Sequence, residues 1–565
     1  MNFNSARSIR LVGWAVAFAA LLIASRLYFL QIVRADELSE RADHSFSLQK
    51  GIFNRGSIFF TTKDGERTVA ASLKNGFVLI MDSGMIKDAE ETYNALSKLI
   101  QIDKETFLTA VSKGSGFTEL LHKISQQTAD EINALQLPGI NLAREKWRFY
   151  PGGERAAHVL GFVGYNGTVL EGRYGLERSY EDTLLRNNAS PYSNFFGEIV
   201  GIVKNNRNLS GDIAVSIEPA AQSFLEESIR GVQKKFSSRE TVGIIMNPKT
   251  GEILAMAAIP SFDPNNFQKE NDLRVFVNPL VENVYEFGSI MKPLTIAAGI
   301  DGGAITYEST YFDEGSLTLD GKTIYNFDKK ARGVVSMQEV LNQSLNTGAS
   351  FVALKLGTKR FAEYLSSFGI GEETGIDLPN EASGLVDNLK SPRQIEYATA
   401  SFGHGIAITP ISMIRALSAL ANNGELPNPH LATQILFDIG GWRTPSFGGN
   451  ELHKVIAPET AETVTKMLVK VVDDALLGGS MKLKEWSVAA KTGTAQIAKP
   501  TGGGYYDDRY LHSFFGYFPA YDPRFIVFLY TIEPKGVSFA SHTLTKPFFD
   551  IAKFLLNYYA VPPDR

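Results

Sequence analysis

The chain has no cysteine among its 565 residues, so disulfides, thiolate metal sites and cysteine nucleophiles are excluded. It also lacks a charge excess of either sign. Lysine and arginine number 56 against 61 aspartate and glutamate, and a net charge of -5 on this length excludes the basic surplus of a nucleic-acid binder. No internal repeat or low-complexity tract is visible. What is present is ample apolar material, 44% of the residues, enough for at least two buried cores and therefore two or three domains.

The first informative stretch runs from Leu11 to Val33 and is apolar except for Ser25, Arg26 and Gln31. At about 1.5 Å per residue it is long enough to cross a hydrocarbon core of about 30 Å. Arg26 either extends its stem toward the interface or faces a partner helix. Arg7 and Arg10 precede the span while Asp36 and Glu37 follow it, which predicts residues 1–10 as a cytoplasmic tail and the bulk of the chain outside, although Arg34 and Arg41 weaken the contrast. A signal peptide cleaved near Ala24 and Ser25 is the competing reading. The retained anchor is preferred because the apolar pattern resumes at Leu27, Tyr28, Phe29, Leu30 and Ile32.

Residues 34–215 mix short β-like runs, glycine-rich turns such as Tyr150–Gly153 and a helical stretch from Asp88 to Ile102, with no catalytic cluster; they read as a mixed α/β pedestal. A new domain opens near 211–220, with a strand over Asp212–Ile217 and a helix from Glu218 to Lys234. A hairpin follows, Val242–Met246 and Ile253–Ile259 about the turn Asn247–Gly251. Helix-compatible segments dominate Ile290–Ala421, and strands return at Trp486–Ala490, Phe514–Phe518 and Phe525–Ile532. Strands flanking a helical block predict one sheet completed by distant parts of the chain, an α+β fold for residues 216–565.

Three strings carry chemistry by their order: Ser289-Ile290-Met291-Lys292, Ser344-Leu345-Asn346 and Lys491-Thr492-Gly493-Thr494. Each is weak alone, for Ser47-Leu48-Gln49-Lys50 and Lys249-Thr250-Gly251 match the first and third patterns by chance. Spacing of three on a helix puts Ser289 and Lys292 on one face, the serine to attack and the lysine to take its proton. That lysine must be neutral, which burial or the charge of Lys491 can arrange. Pro293 is tolerable only in the first helical turn, so Ser289 is expected at the helix N-terminus, where backbone N–H groups can steady an oxyanion. Ser344 and Asn346 are expected near the end of a helix over Met337–Leu345, the hydroxyl to relay a proton and the carboxamide to hold a substrate amide. Lys491–Thr494 are expected on an edge strand that pairs with an extended peptide. There Gly493 permits close approach, and the Thr492 and Thr494 hydroxyls with the Lys491 ammonium suit a terminal carboxylate.

This S-x-x-K, S-x-N, K-T-G order resembles the penicillin-recognising serine enzymes. Wider strings resemble the class B penicillin-binding proteins: Gly251–Met256, Pro260–Pro264, Tyr285–Pro293, Ser401–Gly405 with Thr409-Pro410, and His512–Phe514 with Gly516 and Pro519. Upstream, Arg55–Ile58 and Tyr174–Glu177 resemble the N-terminal module of that class. Phe287 departs from it, standing where proline is usual before Gly288. The resemblance implies a peptidoglycan D,D-transpeptidase: Ser289 attacks the penultimate D-alanine carbonyl of a stem peptide ending in D-Ala-D-Ala, D-alanine leaves, and an amine of a neighbouring strand resolves the ester. It further implies an oxyanion hole from the backbone N–H groups of Ser289 and Thr494, acylation of Ser289 by β-lactam antibiotics, and an antiparallel sheet with helices on both sides.

A D,D-carboxypeptidase, in which water resolves the ester, is the runner-up. A penicillin-binding sensor or scaffold is the reading from another class, and only about ten residues precede the span to signal with. A class A β-lactamase is disfavoured by the absence of an E-x-x-L-N string, and a glycosyltransferase by the absence of E-D-x-x-F-x-x-H in residues 34–215. Ser401–Gly405 and the spacing from Lys491 to His512 resemble the cell-division branch. That implies a multi-span peptidoglycan glycosyltransferase and other divisome proteins as partners; that Arg26 faces the former is a hypothesis that an Arg26→Leu variant tests. No metal and no organic cofactor is expected, since each role has a protein group.

Overall fold

The computed structural model of the chain describes residues 14, 54–112, 114, 116–167, 169–186, 210–437, 441–445, 453–500 and 502–565. Apart from Trp14, the expected tail, the 11–33 span with Arg26, and the Ser47–Lys50 string lie outside the described residues. Among the described residues no helix is long and apolar enough to cross a membrane.

The chain divides into two compact units. In the smaller, which includes Leu73–Trp147, helices Ala89–Leu96, Lys104–Ser112 and Gln126–Ala134 enclose a core of Leu79, Met81, Leu96, Phe107 and Ile132. Asp88 caps the first helix by accepting from Glu91 N at 3.0 Å. That helix stops at Leu96, short of the expected Ile102, because Leu99 and Ile100 both donate back to the Leu96 carbonyl and Asp103 caps the next helix through Thr106 N at 2.7 Å.

The larger unit comprises Arg55–Ser72, Arg148–Arg186 and everything described from Ser210 onward. Its strands and helices of interest are β1 (Ile58–Thr61), β2 (Gly211–Val215), α1 (Pro219–Phe236), β3 (Glu240–Met246), β4 (Ile253–Ile259), α2 (Lys292–Asp301), α3 (Met337–Asn342), α4 (Asn346–Leu356), α5 (Pro410–Ala421), β5 (Ala432–Phe437), α6 (Pro458–Lys470), β6 (Ala489–Ala498), β7 (Tyr505–Phe518), β8 (Phe525–Ile532) and α7 (Thr545–Tyr558). β2 pairs parallel with β1 and antiparallel with β5. Beside β1 the two upstream strings meet: Glu177 receives Arg55 Nε at 2.6 Å and Arg148 Nε at 2.5 Å, and Arg148 Nη1 donates to the Gly56 carbonyl at 2.6 Å. A carboxylate this buried is stable only because two guanidinium groups compensate it, and they hold it below the usual carboxylate range against its burial.

The principal sheet runs β6-β7-β8-β3-β4, antiparallel throughout. Side chains alternate across it. Val242, Ile244, Phe515, Tyr517, Phe528 and Tyr530 enter a core shared with α2, α5 and α6, while Ile245, Phe514, Val527 and Leu529 enter one shared with α1 and α7. Because both faces are covered, these strands read as continuous apolar runs rather than alternating ones. The sheet is therefore completed by distant parts of the chain, as expected.

Two further local expectations fail. The 290–421 block is broken by the strand pairs Thr310–Asp313 with Gly333–Ser336 and Ser316–Leu319 with Lys322–Tyr325, short runs set off by Gly315, Gly321 and Gly333 in left-handed backbone. The strand expected at Trp486 begins only at Ala489. Ser487 N and Trp486 Nε1 are instead tied to the C-terminal segment, at Asp564 and the Val561 carbonyl.

Candidate active site

The turn Tyr285–Gly288 leads through a single tight turn, Gly288–Met291, into α2, whose first turn holds Pro293. Ser289 thus stands just ahead of the helix, as Pro293 required. Gly288 has φ +67°, and a Cβ there would lie 2.9 Å from the Thr494 carbonyl oxygen, so only glycine lets this turn lie against the β6 edge. Gly288 N donates to the Gly403 carbonyl at 3.3 Å, and Thr295 Oγ1 on α2 donates to the Ser401 carbonyl at 2.7 Å, seating the turn on the Ser401–Gly405 loop.

Lys292 is fully buried, and its Nζ lies 2.9 Å from Ser289 Oγ. It also reaches the Ser344 carbonyl at 2.5 Å, Asn346 Oδ1 at 2.9 Å and Ser344 Oγ at 3.1 Å. Burial first, and the charge of Lys491 second, push this lysine well below its ordinary value. A neutral amine has two N–H donors and one lone pair. The Ser344 carbonyl and Asn346 Oδ1 absorb the donors, which leaves the lone pair for the Ser289 proton.

Ser344 and Asn346 do not sit at the end of one helix as expected. α3 stops at Asn342, Ser344 takes φ +56°, and Asn346 opens α4. This left-handed residue aims both its carbonyl and its hydroxyl at Lys292, which a continuous helix would have prevented by engaging the carbonyl four residues on. Asn346 is occupied at both ends, Oδ1 by Lys292 and Nδ2 by the Tyr325 carbonyl at 2.9 Å. Here its carboxamide orients the lysine.

Lys491, Thr492, Gly493 and Thr494 lie within β6, an edge strand of the sheet. Lys491 is buried, and burial brings it down to about 7. Its Nζ donates to Ser344 Oγ at 3.1 Å and to the Thr492 carbonyl at 3.0 Å, so the Ser344 hydroxyl lies within 3.1 Å of both lysine nitrogens. A Cβ on Gly493 would stand 2.3 Å from Ser513 Oγ and 2.5 Å from the Phe287 carbonyl oxygen; the requirement for glycine comes from the packed nucleophile turn behind the strand. The Thr494 hydroxyl accepts from Ala540 N at 3.2 Å.

Ser289, Ser344, Asn346, Lys491, Thr492 and Thr494 border a groove of about 950 Å³, lined also by Tyr325, Phe327, Thr399, Phe402, His404, Gln496 and Phe539. Sequence reasoning missed most of these wall residues. The available signal was aromatic side chains in loops, and His404 within the Ser401–Gly405 string. The Lys249–Gly251 string remains a hairpin turn, with Lys249 paired to Asp522.

The family model of the penicillin-binding protein transpeptidase domain matches residues 241–552, and that of the penicillin-binding protein dimerisation domain matches 54–190. Stage V sporulation protein D of Bacillus subtilis is 28% identical over 537 residues, covering 93% of this chain and 82% of its own. Peptidoglycan D,D-transpeptidase FtsI of Escherichia coli is 26% identical over 576 residues, covering 100% of this chain and 93% of its own. The crystal structure of penicillin-binding protein 3 from Mycobacterium tuberculosis, complexed with aztreonam, has the same fold at TM-score 0.69 and 23% identity, over 91% of this chain and 98% of that one. With its dimerisation-type module ahead of a transpeptidase domain, the chain belongs to the class B penicillin-binding protein transpeptidases.

Proposed function

We propose that the chain cross-links peptidoglycan stem peptides through an acyl-enzyme on Ser289, in septal wall synthesis. The observation that carries this is the buried Lys292 amine 2.9 Å from Ser289 Oγ with both of its N–H groups engaged elsewhere. Lys292 takes the serine proton as the oxygen attacks the penultimate D-alanine carbonyl, and the Ser289 and Thr494 backbone N–H groups receive the oxyanion. Ser344, between Lys292 and Lys491, passes a proton to the departing D-alanine amine; Lys491, Thr492 and Thr494 hold the terminal carboxylate. An amine from a neighbouring strand then takes the acyl group and frees Ser289. β-Lactams acylate the same serine, a reading supported by the aztreonam complex of the related structure.

The finer architecture belongs to the same proposal. Residues 11–33 anchor the chain in the cytoplasmic membrane with the N-terminus inside, 34–215 form the pedestal and 216–565 the extracytoplasmic transpeptidase domain. A multi-span glycosyltransferase of the division machinery is the expected partner.

The test is intact mass after incubation with benzylpenicillin, with peptide mapping and Ser289→Ala as control. A long-lived adduct on Ser289 that vanishes in the control supports the proposal. No adduct on a folded protein, or rapid turnover of the antibiotic, overturns it.

A further inference from the structure

Glu286 lies three residues before Ser289 and none of the steps above uses it. Its Oε2 accepts the Tyr505 hydroxyl at 2.9 Å, and its carboxylate also receives the Gly405 backbone N–H. Tyr505 opens β7 opposite Ala498, at the tip of the hairpin whose first strand carries Lys491–Thr494. The Tyr505 ring stacks on His404 with centroids 5.2 Å apart and an interplanar angle of 28°, and His404 also meets the tilted Phe402 ring at 5.4 Å. His404 lines the groove with Ser289, and its own loop accepts Gly288 N at Gly403. One hydrogen bond thus joins the nucleophile turn, the hairpin tip and a groove wall.

We propose that Glu286 and Tyr505 form a clamp that positions His404 as a substrate-contacting wall of the groove beside Ser289. The proposal rests on acylation of Ser289 as set out above. Among the described residues, Glu396, itself paired with Arg393 at 3.3 Å, faces Tyr505, and Lys292 faces His404. Burial, opposed by Tyr505 and the Gly405 N–H, lifts the Glu286 carboxyl up to about 7. A carboxyl whose value is higher in the closed clamp than in water favours closure while protonated and opening once ionised. The clamp is therefore tightest below about pH 4.5 and loosens as pH rises to about 7, above which the loosening is complete. Burial brings His404 down to about 4, so it stays neutral throughout this range.

The experiment is the rate of Ser289 acylation by benzylpenicillin from about pH 5 to about pH 8.5, on the wild type, Glu286→Gln, Tyr505→Phe and the double variant, each checked for its melting midpoint. Glutamine imitates the protonated carboxyl at every pH, so Glu286→Gln is expected to acylate roughly threefold faster than wild type above about pH 7, with the gap closing as pH falls from about 7 toward about 4.5. Tyr505→Phe keeps the ring stack but loses one partly buried hydrogen bond, and is expected to be roughly fivefold slower at about pH 5. The double variant should match Tyr505→Phe, because the two residues act as one unit. Parallel pH profiles for Glu286→Gln and wild type, or wild-type rates for Tyr505→Phe, overturn the clamp. A wild type that is not acylated at Ser289 instead overturns the functional reading beneath it.

Discussion

Gly403 approaches Gly288 so closely that a Cβ on Gly403 would stand 2.4 Å from the Gly288 carbonyl oxygen, and Gly403 itself has φ +80°. Both space and backbone conformation demand glycine. Gly403→Ala must therefore push the turn that carries Ser289 off its seat. We expect acylation by benzylpenicillin to fall by about 100-fold, the cost of misplacing a reacting atom by about 1 Å, with the circular dichroism spectrum preserved.

Lys292→Arg keeps a long cationic side chain but cannot supply a neutral nitrogen. Loss of the general base is expected to slow acylation by about 10²–10⁴-fold, read from burst kinetics with a fluorescent penicillin. A rate within a few fold of wild type would mean that another group accepts the Ser289 proton.

Lys491→Met removes the positive charge that helps depress Lys292, while the burial that depresses it more remains. The lysine then holds its proton to higher pH. The rising limb of the acylation profile should shift toward alkaline pH relative to wild type; an unmoved limb would show that burial alone sets the base.

Phe287 is buried where the class usually has proline, its ring 5.1 Å from Phe528, 5.8 Å from Tyr530 and 5.9 Å from Tyr285. Its φ of -93° lies outside the narrow range of a proline ring, so packing against β8 does the stiffening that a pyrrolidine would do. Phe287→Ala should cost about 3–5 kcal/mol in chemical denaturation, and Phe287→Pro should not restore it.

His158 is buried against Phe262, with Nε2 at the Val275 carbonyl 2.9 Å away, and burial lowers it to about 4. Its folded value is depressed below the ordinary 6.5, so its contribution to stability is full above about pH 6.5 and is lost as pH falls through about 4. The amount at stake is on the order of 3 kcal/mol. His158→Gln should flatten the decline of the melting midpoint between about pH 6.5 and about pH 4.

Much of the fold was legible in local patterns. The apolar runs 242–246, 253–259 and 525–532 are strands because both of their faces are buried, and Pro293 places Ser289 ahead of a helix because proline has no N–H to give. Ser344 was not legible. Nothing in Met337–Leu345 announces a break, and its left-handed backbone is held by bonds to Lys292, 52 residues away in sequence.

By itself the sequence determined which groups were available, namely Ser289, Lys292, Ser344, Asn346 and Lys491, and on which kinds of element most of them stand, since residue type, periodicity and proline position are local properties. Only the tertiary structure decided what those groups do to one another: that Asn346 holds the lysine, that Gly493 and Gly403 make room for the nucleophile turn, and that Glu286 reaches Tyr505 across 219 residues of chain. Distances, burial and the proton affinities that follow from them arise from contacts between distant segments, and these come into being only when the chain closes its sheet.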